Sequence, residues 1–250
     1  MTVELAIAGF FAVLFAGLSK GGFGGSFVVL AVPTLSLATD PVTAAAILLP
    51  VLCFIDLMSL WKYRKHASWY HLRILLGASI IGIIIGTLVY GQINKAWVQL
   101  LIGFIAISFT LYRWFGAQMM KQLQEKRPGT AAGWLWGSIA GFTSFVAHAG
   151  GPPLSIYLLP QNLDRTRYQA TTVIVFATAN YIKLIPYYSL GLLNTDNISI
   201  SLYLIPAAIL GVGLGIFLHK RVSDVFFFRL CYIGLFCMGI KLIVDGITNL

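Results

Sequence analysis

The sequence predicts an all-α polytopic membrane protein built from two homologous, inverted repeats. Each repeat is a broken helix or helical hairpin followed by three transmembrane helices, about eight spans in total. Three observations predict this. Of the 250 residues, 58% are hydrophobic and only 10% are charged, whereas a soluble domain carries about 25% charged residues. Apolar runs of near-spanning length fill the chain, and eight spans of ~20 residues leave little beyond loops. Finally, glycine- and proline-rich interruptions recur half a chain apart.

Taken in order, an apolar segment at 3–18 runs into Ser19-Lys20-Gly21-Gly22-Phe23-Gly24-Gly25-Ser26. This start lacks a basic leader region and a small-residue cleavage site, so it reads as a retained first helix. A short apolar piece follows at 26–38. Asp40-Pro41 then opens a run at 41–61, with Asp40 as N-cap and Pro41 in the first turn. Runs at 70–92 and 96–115 complete a first repeat over residues 1–115. The most polar stretch, 116–131, reads as a linker. The second repeat, 132–250, begins with 132–148, breaks at His148-Ala149-Gly150-Gly151-Pro152-Pro153, and continues to 162. Runs at 166–190, 198–218 and 224–248 follow, the first opened by Asp164 as N-cap.

The halves match at several points. Asp40 and Asp164 lie 124 residues apart, and Asp56 falls opposite Asn180 at the same offset. Gly24-Gly25 pairs with Gly150-Gly151 at 126, and Gly82/Gly86 with Gly211/Gly215 at 129. Internal repeats with short, interrupted segments at matching positions point to a secondary transporter and to its binding site. The bases choose between the two forms of the break. If each break is a hairpin returning to its starting side, then Lys62, Arg64, Lys65, the 121–127 stretch, Arg165, Arg167, Lys220 and Arg221 share one side. Asp40 and Asp196 then lie opposite, with Lys95 as the main exception. The positive-inside rule prefers that arrangement. The net charge of +9 thus belongs to loops and gives no stripe for nucleic acid.

Broken backbone at membrane depth survives only where protein or a wet cavity surrounds it. A helix N-terminus there offers free N–H groups and a partial positive charge to an anion. Half-helices starting after Gly25 and after Pro153 would aim such ends at the centre. Gly21, Gly22, Gly24, Gly25 and Ser26, with Gly150, Gly151 and Pro152, would let backbone approach the ligand. Lys20 and Lys183 are cations inside apolar runs, which makes them functional candidates. Asn180 completes the binding set. Asp56 and His148 are candidates for proton coupling, and His148 also for binding. The neighbours Trp61-Lys62-Tyr63 would place Asp56 near a membrane boundary. Gly82/Gly86 and Gly211/Gly215 read as helix-packing glycines, and such faces would permit a homodimer.

Other chemistry is not indicated. No HExxH, GxSxG or phosphate loop is present, so no catalytic residues are assigned. Cys53, Cys231 and Cys237 form no CxxC, and acids and sulfur ligands do not cluster, so neither metal nor cofactor is expected.

Gly17-Leu18-Ser19-Lys20-Gly21-Gly22-Phe23-Gly24-Gly25, Asp40-Pro41, and Gly141-Phe142-Thr143-Ser144 through Pro153 resemble the TauE/SafE sulfite exporter family. The resemblance covers essentially the whole chain. It implies a multi-pass protein of the bacterial cytoplasmic membrane that exports sulfite or a small organosulfonate. Alternating access between the repeats would be the mechanism. A permease or channel for another small metabolite or ion is the alternative. The expected partners are a small anion and the lipid bilayer.

Overall fold

The computed structural model describes residues 2–22, 25, 28–90, 92, 94–124, 127–218 and 224–250. Among these the regular structure is entirely helical. Helix α1 (Val3–Gly22) is followed by a 3₁₀ turn at Val28–Leu30 and a short helix α2 (Ala31–Leu35). Helices α3 (Pro41–Tyr63), α4 (Trp69–Tyr90) and α5 (Lys95–Gln124) complete the first half. The second half runs α6 (Thr130–Ala147), α7 (Gly151–Leu158), α8 (Arg165–Ser189), α9 (Thr195–Tyr203), α10 (Ile205–Leu218) and α11 (Asp224–Thr248).

The predicted caps form. The Asp40 carboxylate accepts from Val42 N and Thr43 N, both at 3.1 Å, and Asp164 accepts from Arg167 N at 2.9 Å. Pro41 sits at the first turn of α3, where its missing N–H leaves nothing unpaired. Three expectations need correction. The polar stretch 116–131 is not a loop throughout, because α5 continues to Gln124; without glycine or proline between Gln118 and Gln124, nothing stops the helix. The run at 198–218 divides into α9 and α10, bent by 46°. The second half-helix starts at Gly151, ahead of Pro152 and Pro153, which occupy its first turn.

Helix pairs cross between the halves. α1 packs on α10, α6 on α4, α3 on α8 and α5 on α11. The first two pairs are parallel. A Cβ on Gly17 would meet Gly211 Cα at 2.9 Å, and one on Gly21 would meet Val212 O at 2.6 Å. Likewise a Cβ on Gly82 would collide with the Ser138 carbonyl, and one on Gly141 with the Ser79 carbonyl. Only glycine lets these backbones approach so closely. The other two pairs are antiparallel: Asp56 meets Asn180 while Tyr63 packs on Ala170, and Gly103 meets Ile243 while Gly246 meets Leu100.

Hydrogen bonds fix which ends lie together. Ser68 N donates to Thr171 Oγ1 at 3.0 Å, Tyr70 and Thr130 share a hydroxyl bond at 3.2 Å, and Gln161 Nε2 donates to Pro128 O at 2.8 Å. The last bond joins the 3₁₀ turn that follows α7 (Leu159–Gln161) to the segment just ahead of α6, so this broken segment turns back to its starting end. Asp40, Asn94, Gln99 and Asn249 line one cleft at the opposite end. α1 runs inward from that end, parallel to α10, and the chain is back there at Asp40. The first broken segment therefore also turns back.

The exterior is apolar, and a set of polar and charged groups lies buried within an otherwise apolar core. Lys20, Asp56, His148, Gln169, Asn180 and Lys183 are buried, while Ile81, Ile84, Ile85 and Leu88 of α4 face outward. A soluble fold inverts this distribution. Among the described residues, three helices, α1, α3 extended to His66, and α4, are long and apolar enough to cross a membrane, or four if α9 and α10 count as one bent span. α8 does not reach that level because it carries Gln169, Thr171, Thr172, Asn180 and Lys183, all buried against its neighbours. The molecule is an all-helical protein of the integral-membrane class.

Candidate functional site

Both breaks end their first helix in the same way. Gly25, at φ 72°, donates its N–H to Ser19 O at 3.2 Å. In the second half His148 stands at φ 52°, and the next residue, Ala149, donates to Thr143 O at 3.1 Å. These are the left-handed closures that satisfy a helix's last carbonyls. The two six-residue bonds lie 124 residues apart, so the turn at Gly25 matches Ala149, two residues before the Gly150-Gly151 pairing read from the sequence. Of the predicted residues, Gly24 and Ser26 lie outside the described residues.

Two tyrosines hold the remaining carbonyls. Tyr63 OH donates to Gly21 O at 2.8 Å, and Tyr187 OH donates to Phe145 O at 2.6 Å. Donors and acceptors are again each 124 apart. Neither tyrosine stood out in the sequence, although their shared offset from Asp56 and Asn180 was a usable signal. Gln169 was missed as well; its Nε2 donates to Lys20 O at 2.6 Å.

Around these breaks lie the cations. Lys20, 2% exposed, donates to Asp56 Oδ1 at 2.5 Å, and Asn180 Nδ2 donates to Asp56 Oδ2 at 2.6 Å. Asp56 is therefore fully buried at the centre of the bundle, not at a boundary, because α3 continues for two turns beyond it to Tyr63. Lys20 does not reach out to an interface. Lys183, fully buried, donates to Ser144 O at 2.8 Å and Ser144 Oγ at 3.1 Å, and lies 2.8 Å from His148 Nδ1. His148 Nε2 lies 2.9 Å from Ala45 O. A carbonyl only accepts, so Nε2 carries the hydrogen.

A cavity of about 10 Å³ lies among Lys20, Gly25, Leu52, Ser144, His148, Gly151 and Asn180. That is room for roughly one water molecule. Gly151, the first residue of α7, brings a helix N-terminus to its wall, while Gly150 packs on Ala140 O and Phe176. Gly21 and Gly22 are buried at the end of α1 but do not line the cavity, and Pro152 is buried in the first turn of α7. So the fold brings Lys20, Asp56, His148, Asn180 and Lys183 together. It uses Gly21 chiefly for contact with α10. Among the described residues, no three His, Cys, Asp or Glu side chains converge as a metal site.

No curated protein and no solved structure matches the chain. The family model described as Sulfite exporter TauE/SafE matches residues 9–242 of the 250. The chain belongs to this family of membrane transport proteins.

Proposed function

We infer that the protein is a secondary carrier, not an enzyme, that exports a small anion, with sulfite or a small organosulfonate as its substrate. The observation that carries this reading is the small cavity between the two breaks. It collects Lys20, the residues that bind Lys183, and the N-terminus of α7 around a space of ligand-site character. The partial positive charge of that helix start favours an anion there, with Gly151 the one residue of its first three that has an N–H, since Pro152 and Pro153 have none. Binding residues are Lys20, Gly25, Ser144, His148, Gly151, Asn180 and Lys183; Gly21, Gly22, Gly150 and Pro152 shape the surrounding backbone. Asp56 releases Lys20 toward the anion, which makes it a coupling residue. The substrate class comes from the family; the cavity contributes the charge sign.

The fold supports two inverted repeats. Matched turn bonds at one offset, two antiparallel pairs and two parallel cross-pairs are what a two-fold axis in the membrane plane generates. Arg64, Lys65, Arg127, Arg165 and Arg167 cluster at one end, which in our reading faces the cytoplasm of a bacterial cell membrane. Tyr63 lies between the cavity and that end, Tyr187 between the cavity and the other. Alternating access opens one side at a time, each tyrosine closing its own side.

Counterflow in proteoliposomes tests the substrate. Labelled sulfite should enter vesicles preloaded with unlabelled sulfite faster than it enters protein-free vesicles. Equal rates for sulfite and for alkanesulfonates would end this assignment. The gating reading predicts opposite sidedness: Tyr63→Phe should expose a cysteine at position 144 to reagents from the basic end, and Tyr187→Phe from the opposite end. Equal labelling from both ends in both variants would leave the tyrosines as helix caps alone.

A further inference from the structure

We propose that each anion is carried together with one proton, and that the Lys183–His148 pair holds it. This rests on the anion-carrier reading above and adds the co-transported ion.

The two cations of the site differ in their partners. Lys20 is neutralised by Asp56, and both oxygens of that carboxylate are taken, by Lys20 and Asn180. Among the described residues Lys183 has only neutral hydrogen-bond partners, the Ser144 carbonyl and hydroxyl and the His148 ring. Among the described residues no carboxylate lies within ion-pair distance of it. The groups facing the pair are Lys20 from α1, Cys53 and Asp56 from α3, and Tyr187 from α8, which stacks on the His148 ring at 6.3 Å. Tyr90 of α4 stands beyond Phe145.

Because His148 Nε2 keeps its hydrogen on Ala45 O, Nδ1 is the ring's free acceptor. One proton lies between Nδ1 and Lys183 Nζ, and with it the pair carries one positive charge on whichever nitrogen. A buried charge without a counter-ion is unfavourable. Ser144 and His148 both line the cavity, so an anion there is that counter-ion. Anion and proton therefore strengthen each other's binding, and the effect is reciprocal. On release, the anion leaves and Lys183 or His148 returns its proton to water, an N–H bond breaking as an O–H bond of hydronium forms; loading reverses this. A monovalent anion then crosses without net charge.

His148 itself points the same way. It holds a left-handed backbone position that glycine occupies at lower cost. The ring stands there with both nitrogens engaged, Nε2 at Ala45 O and Nδ1 at Lys183 Nζ.

The test uses the full-length protein in proteoliposomes with a pH dye inside and the voltage clamped by potassium and valinomycin. Methanesulfonate is the probe, since it stays a monoanion near neutrality and brings no proton. An inward methanesulfonate gradient should acidify the lumen, at one proton per anion, with a flux indifferent to voltage. Methanesulfonate counterflow without acidification, and with voltage-driven flux, overturns the proposal and leaves the carrier reading standing. Absence of counterflow for methanesulfonate, sulfite and other anions removes both. In Lys183→Arg, permanently charged, whatever methanesulfonate flux remains should bring no acidification and become voltage-sensitive; acidification at the wild-type ratio assigns the proton elsewhere. His148→Asn tolerates the same backbone angle and should shift the pH profile of methanesulfonate flux. An unchanged profile overturns the role of the pair even if the arginine variant does not fold.

Discussion

Asp56 shows how much one residue's setting governs here. Its two oxygens bind an ammonium and an amide within a fully buried space. Removing one member of such a pair strands the other. Asp56→Ala should therefore lower stability by about 3–5 kcal/mol, measured as an earlier thermal transition in detergent. The double variant Lys20→Met/Asp56→Leu should be less destabilised than Asp56→Ala, because no charge is left behind. A double variant that melts below the single would mean the pair stabilises the fold outright. Ser59, one turn along α3, has the one buried side-chain oxygen without a partner among the described residues. Ser59→Ala should leave the transition temperature unchanged or raise it.

At the scale of the element, glycines decide which helices touch. A methyl on Gly141 would strike the Ser79 carbonyl, and backbone cannot give way as a side chain can. Gly141→Ala should cost roughly 1–3 kcal/mol by overpacking the α4–α6 crossing. Gly213, on the outward side of α10, has nothing within 4 Å of the added methyl. Gly213→Ala should be neutral, or stabilising by up to about 1 kcal/mol, since alanine is the better helix former. Thermal unfolding of the two purified variants checks both signs. The same substitution thus gives opposite results on two helices of similar composition.

At the scale of the whole molecule, the two ends differ in charge. Single cysteines at Lys65 and at Asn194 should react with impermeant reagents from opposite faces of the membrane. Reaction of both from one face would refute the turned-back geometry of the second broken segment, because that geometry puts the 64–66 and 194–196 turns at opposite ends.

Much of this was legible in the chain. Too few charges for a soluble surface, periodic apolar runs, Asp40 and Asp164 as caps, and glycine clusters half a chain apart are local or compositional facts. They determined the all-helical membrane class, the positions of both breaks and the family. Lys20, Asp56, His148, Asn180 and Lys183 were candidates because a charge or polar group within an apolar run is expensive wherever it lies. The tertiary structure alone decided who meets whom. That Lys20 pairs with Asp56 while Lys183 finds only neutral partners depends on α1, α3, α6 and α8 converging across more than a hundred residues of chain. That Gly21 serves packing while Gly25 lines the cavity depends on α10 lying against α1. Hydropathy and capping act within a turn or two of helix, so sequence carries them directly. Charge neutrality and close approach are properties of neighbours in space, and only the assembled bundle supplies those neighbours.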